Sequence, residues 1–234
     1  VSELHIALVA EGKTDYELIQ AALKAILPRA FVMTLLQPEA TEPRMGTGWG
    51  GVLKWCYAAA QRHQGALEND PILSRFDFII LHLDVDVAMK RYADCGSAAE
   101  QLALERGWKP LPCAEPCPPV TDTVVKLKDV LSSWLGEVSL GGRTVLCLPA
   151  QSSGSWLAAA LLPEGDRRLH SLECNVTLEN SLSQLPKKER VKKSARDYLH
   201  HAVKMTAQWE NVKRLCHQAE RFEQSLLTVL NRFE

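Results

Sequence analysis

Glu11, Asp84 and Asp86 are the residues whose types and positions could do chemistry. Each set closes an apolar run: Glu11-Gly12 follows Ile6-Ala7-Leu8-Val9-Ala10, and Asp84-Val85-Asp86 follows Phe78-Ile79-Ile80-Leu81-His82-Leu83. If both runs are parallel strands of one α/β sheet, the three carboxylates meet at its carboxyl edge, where open α/β sheets place their ligands. Like charges gathered at the end of a buried strand repel unless a cation or basic side chain compensates them. A hard divalent ion such as Mg²⁺ takes one or two carboxylates and leaves its other positions to water and phosphate oxygens. The set therefore points to phosphoryl-transfer or phosphodiester chemistry, with Mg²⁺ or Mn²⁺ held by Glu11, Asp84 and Asp86.

The elements that must position these groups follow from periodicity. Leu4–Ala10 reads as a buried strand, Gly12-Lys13-Thr14-Asp15 as a turn into a helix capped by Thr14 or Asp15, and Pro28 as its stop. Phe31–Leu36 is a second strand, and Pro38–Gly51, with two prolines and four glycines, a loop before a helix over Val52–Arg62. Phe76–Leu83 is the clearest strand. Residues 91–121 lack periodicity and carry a proline cluster, which predicts a short helix near Ser97–Glu105 and then an irregular insertion. Asp122–Leu135 reads as a helix, Arg143–Leu148 as a strand and Ser155–Leu161 as a helix; strands alternating with helices imply a mostly parallel sheet flanked by helices. After Pro186 there is no Pro or Gly, and Tyr198, Ala202, Met205, Trp209, Val212, Cys216, Ala219, Phe222, Leu226 and Leu230 recur at helical steps. This predicts one long helix or two consecutive ones, with a stripe that packs onto the sheet or serves dimerisation.

Bulk properties narrow the classes. In 234 residues with 46% hydrophobic content there is ample core for about one large domain. A net charge of -1 means that any attraction to nucleic acid must come from a local patch. The seven scattered cysteines read as reduced thiols of a cytoplasmic protein, and the absence of a long apolar run or basic leader predicts neither membrane insertion nor secretion.

Strand, Glu-Gly, helix and a later strand ending in Asp-x-Asp resemble the Toprim domain of topoisomerases, primases and overcoming-lysogenization-defect nucleases. The matching pieces are Val9-Ala10-Glu11-Gly12-Lys13-Thr14-Asp15 and Leu83-Asp84-Val85-Asp86. Gly46-Thr47-Gly48-Trp49-Gly50, Pro149-Ala150-Gln151-Ser152 before Trp156-Leu157, and Lys192-Lys193-Ser194 resemble later elements of small bacterial Toprim-like proteins, whose relatives include phage-defence nucleases. The resemblance implies an α/β Toprim-like catalytic domain over 1–165, with the insertion at 91–121, followed by a helical C-terminal extension over 166–234. It further implies a metal-dependent nuclease, acting on DNA more than RNA, in which Glu11 is a general acid or base or a metal ligand, while Asp84 and Asp86 hold the ion. Asp15 is a cap or a further ligand. Several relatives carry an acid just before the helix Trp, where this chain has Gly154-Ser155; Glu164, Asp166 or Glu173 would have to replace it.

The basic run Lys187, Lys188, Arg190, Lys192, Lys193 and Arg196 reads either as a solvated helix face or as a phosphate-backbone contact, with Lys193 reaching the active site as a catalytic cation. Gly12 and Lys13 are further candidate phosphate contacts, Gly12 because a residue without Cβ permits a sharp turn and close approach. Trp49 could brace its loop or stack on a base, Cys113-x-x-x-Cys117 has a spacing that zinc can use, and Ser152-Ser153 has no triad context. Two other functions fit parts of the pattern. One is a non-catalytic Toprim-like scaffold or sensor partnered with an ATPase, with a homo-oligomer as a further option. The other is a phosphatase resembling the haloacid-dehalogenase type, with Asp84 as nucleophile, which leaves Glu11-Gly12 unexplained.

Overall fold

The structure, a computed structural model, describes residues 3–39, 42–187 and 190–232. Four strands, β1 (Leu4–Val9), β2 (Phe31–Gln37), β3 (Phe78–His82) and β4 (Thr144–Cys147), form one sheet in the order β2-β1-β3-β4. Every pairing is parallel, with Leu8 opposite Leu35 on one side and Ile80 on the other, and Ile80 opposite Val145. The chain is thus α/β, a parallel sheet flanked by helices, consistent with the arrangement that the Toprim resemblance implies.

Strand alternation explains the layers. In β1, Leu4, Ile6 and Leu8 face one buried cluster while Ala7 and Val9 face the other. Against the first face lie α1 (Lys13–Ile26), α5 (Gly154–Leu161), α6 (Leu178–Ser183), α7 (Ala195–Ala207), α8 (Trp209–Leu215) and α9 (His217–Leu230). Against the second lie α2 (Gly48–Arg62) and α4 (Thr121–Leu135), with α3 (Ser97–Arg106) contributing Ala103. Both faces are covered, so the strands can be apolar throughout.

The predicted elements are present with some corrections. The helix expected from Val52 begins at Gly48, inside the stretch expected to be a loop; Gly46 and Gly48 at φ +76 and +70 make the turn before it. Residues 107–120 are irregular and hold no strand. The C-terminal pattern forms three helices rather than one or two, broken at Gln208 and Cys216. All ten of its stripe residues are buried, and Trp209 and Phe222 stack around Trp156 of α5 with ring centroids 5.4 and 5.7 Å away. The stripe packs onto the sheet side, and these helices share one core with α1 and α5.

The expectation of reduced cysteines fails for one pair. The irregular segment after α3 meets the segment before α6, and Cys117 is bonded to Cys174 across 57 residues of sequence. Cys117 is therefore not a zinc ligand; Cys56, Cys95, Cys113, Cys147 and Cys216 are free thiols. Among the described residues no helix is long and apolar enough to cross a membrane.

Candidate functional site

In the order β2-β1-β3-β4 the chain leaves β1 for β2 on one side and returns to β3 on the other, so the topological switch point falls between the carboxyl ends of β1 and β3. Glu11 stands two residues beyond the first end and Asp84 two beyond the second. The backbone fixes both. The N–H of Asp84 donates to Glu11 Oε1 at 2.8 Å, and the Glu11 carbonyl accepts from Gly48 N–H at 2.7 Å, tying the glycine turn to the site. Beyond β3 and β4 the chains stay side by side, with Val85 and Asp86 N–H donating to the carbonyls of Pro149 and Gln151. Gln151 has φ +61, a left-handed backbone that a residue with a side chain rarely adopts, and such outliers gather at functional sites.

Three side chains offer ligand atoms within 4.8 Å of one another: Glu11, His82 and Asp84. His82 was not among the expected ligands. It is the last residue of β3, fully buried, on the face toward α1 and α5, with Nε2 3.2 Å from Asp84 Oδ1 and 4.0 Å from Asp15 Oδ1. Neither ring nitrogen has a hydrogen-bond partner of good geometry. Asp15 is buried too and caps nothing: α1 starts from Gly12 without a side-chain cap, and Asp15 Oδ1 accepts from Ser153 Oγ at 2.6 Å. The N–H of Ser153, at the entry to α5, donates to Asp84 Oδ1 at 3.1 Å. Ser153 therefore joins a carboxylate in the first turn of α1 to one just beyond β3, a role its sequence context did not suggest.

Electrostatics here follow from burial. Desolvation, then the charge of Asp84, raises the Glu11 pKa well above the carboxylate range. Desolvation and Asp15 lift Asp84 to about 6, with His82 opposing. Burial alone would drive the proton off His82, but Asp15, Asp84 and Glu11 outweigh it and hold its pKa at about 9. His82 is the one basic side chain among these carboxylates within the Glu11, His82 and Asp84 set.

Asp84 and Asp86 open on a cleft of about 90 Å³ lined also by Ser152, Ser155, Glu179 and Lys193. Asp86, half exposed, pairs with Lys90 at 3.3 Å rather than joining the Glu11, His82 and Asp84 set. Lys193 does reach the cleft, held by Glu179 Oε2 at 2.8 Å, while Glu179 Oε1 accepts from the Tyr198 hydroxyl at 2.5 Å. Burial lowers the Lys193 pKa, yet Glu179, with Asp84 and Asp15 behind it, leaves it raised overall.

Glu179 is also the carboxylate next to the start of α5: a Cβ on Gly154 would lie 3.1 Å from its Oε1. None of the three expected replacements takes that place. Glu164 and Asp166 line a separate cavity of about 970 Å³ between the end of α5 and α7–α8, and Glu173 accepts from the Gln218 N–H.

The rest of the basic run lies mainly on the irregular segment between α6 and α7, not on a helix face. Lys187, Arg190 and Lys192 are exposed there and Arg196 is exposed on α7; Lys188 lies outside the described residues. Lys13 is exposed at the start of α1. Gly12 has φ -160, extended backbone open to any residue, so the sharp turn expected of it is absent. Trp49 packs on Trp134 and Tyr92, with centroids 6.2 and 6.4 Å away.

Comparison of the chain with protein-family models, curated proteins and solved structures returned no match.

Proposed function

We propose that the chain is a divalent-metal-dependent nuclease that hydrolyses phosphodiester bonds of DNA. The observation that carries this reading is the meeting of Glu11, His82 and Asp84 within 4.8 Å at the switch point, with Asp84 and Lys193 on one cleft. The donor set suits a divalent ion: buried carboxylates in excess of cations, and an imidazole without a good hydrogen bond. A bound divalent ion supplies Lewis-acid charge for the phosphoryl oxygens.

The chain's own groups supply the remainder. Glu11, whose Oε1 accepts from the Asp84 N–H, exchanges a proton with attacking water or leaving oxygen through the oxygen that the ion does not take. Lys193 Nζ offsets charge that develops on the phosphoryl group. Water adds to phosphorus, the bond to one ester oxygen breaks, and a phosphate monoester and a hydroxyl result. A cleft of about 90 Å³ is far below the ~300–1,000 Å³ that encloses drug-sized molecules. It suits one phosphate of an open polymer, with Lys187, Arg190, Lys192 and Arg196 near Lys193 in sequence for neighbouring phosphates. Resemblance to defence nucleases supports phage defence as the setting.

The test is cleavage of supercoiled plasmid and single-stranded DNA with Mg²⁺ or Mn²⁺ by wild type, Glu11→Gln and Asp84→Asn. Expected is metal-dependent cutting that either substitution lowers by at least ~100-fold. Cutting that survives both substitutions refutes the site.

A further inference from the structure

His82 gives the candidate centre a ligand that an all-oxygen magnesium site lacks. Its side chain is wholly buried, and neither ring nitrogen makes a hydrogen bond of good geometry. It comes from β3, two residues before Asp84, and alternation puts it on the same face as Asp15 of α1 and Ser153 before α5. Nothing else in the strand Phe78–His82 is polar, so the imidazole is a deliberate exception within an apolar run.

The geometry suits ligation. First-row ions hold imidazole nitrogen and carboxylate oxygen at about 2.1 Å, which separates adjacent ligand atoms at a right angle by about 3 Å. His82 Nε2 and Asp84 Oδ1 are 3.2 Å apart, and the Glu11 ligand atom completes a set within 4.8 Å. Two carboxylates and one imidazole would hold the ion, and of the three Asp84 lines the cleft.

We propose that His82 is a metal ligand, and that the centre selects a first-row transition ion of the Fe²⁺–Zn²⁺ group over Mg²⁺. Oxygen-only sets suit Mg²⁺, whereas imidazole strengthens binding of the later first-row ions, which also stand higher in intrinsic affinity. The proposal rests on the reading of Glu11 and Asp84 as a metal site and specifies its ion.

The probes are Co²⁺ and Mg²⁺ on the full chain, with calorimetry for affinity and proton NMR of the Co²⁺ form for ligand identity. Expected are Co²⁺ binding at least ~100-fold tighter than Mg²⁺ and hyperfine-shifted imidazole ring signals. His82→Asn should remove those signals and weaken Co²⁺ by roughly tenfold or more while changing Mg²⁺ little, since even partners outside a ligand set are worth about 10–100-fold. Co²⁺ binding without ring signals, or equal loss of both ions in the variant, overturns His82 as a ligand and leaves the metal site standing. Failure of wild type to bind either ion overturns both readings. Should His82→Asn not fold, the ring signals of the wild type decide alone.

Discussion

Stability of the metal-free protein should fall as pH rises, because His82 holds a proton more tightly folded than unfolded. Its folded pKa of about 9 lies above the ordinary 6.5. The stabilisation is therefore complete below pH 6.5 and lost as pH rises through about 9. The gap corresponds to about 3 kcal/mol, a large part of a typical domain's stability. Other groups tilt the same way: the buried thiols Cys56, Cys147 and Cys216 are raised by desolvation, so the unfolded chain sheds those protons first. The informative quantity is thus the difference between wild type and His82→Gln, in which the thiols cancel. Urea unfolding in chelator at pH 6.5 and 9 measures it. Wild type should lose up to about 3 kcal/mol more than His82→Gln over that range. Adding an ion that the site binds should reverse the trend, since deprotonated ligands bind it better at high pH. A difference that stays constant with pH would refute the claim that the carboxylates hold a charged imidazole.

Other consequences are open to simple measurement. Tyr198→Phe removes the hydroxyl that donates to Glu179 and should cost about 2 kcal/mol in urea unfolding, because hydrogen bonds to charged groups are worth ~1.5–3 kcal/mol. Reduction of Cys117–Cys174 releases a loop spanning 57 residues, and chain entropy puts the loss at about 4 kcal/mol, to be read from denaturation with and without dithiol. Phe222→Ala, in the core shared by α9 and α5, should cost ~3–5 kcal/mol. If the C-terminal helices fold with the sheet, its loss appears in a single transition by both tryptophan fluorescence and far-UV circular dichroism. Separate transitions would show that α7–α9 unfold on their own.

How far the sequence carried the fold depended on the range of the interactions. The strands were legible because Ile6–Val9 and Phe78–Leu81 are apolar on both faces, as a doubly covered sheet requires. Glu11 and Asp84 were legible because each directly follows such a run. Glu179 was not: nothing in Leu178–Ser183 marks a site residue, and it reaches the cleft only because α6 packs beside Gly154. The breaks at Gln208 and Cys216 carry no Pro or Gly, so local chemistry could not place them. The disulfide joins segments whose approach depends on the whole fold. His82 did leave a trace, as the one polar side chain in an apolar strand, yet it stood too close to Asp84-Val85-Asp86 to be read apart from that motif.

The cluster holds more carboxylates than basic groups. Glu11, Asp15 and Asp84 surround a single imidazole, and Ser153 satisfies only one oxygen each of Asp15 and Asp84. Two buried partners of opposite charge can roughly break even against desolvation, but further carboxylates beside them add repulsion that no packing recovers. The metal-free chain answers by retaining protons, on His82 and with the Glu11 and Asp84 pKa values raised. If the site takes a divalent cation as proposed, the cation would neutralise that excess in place of the protons. Lys193 stands outside this balance: it lines the cleft but is tied to Glu179 rather than to Asp84.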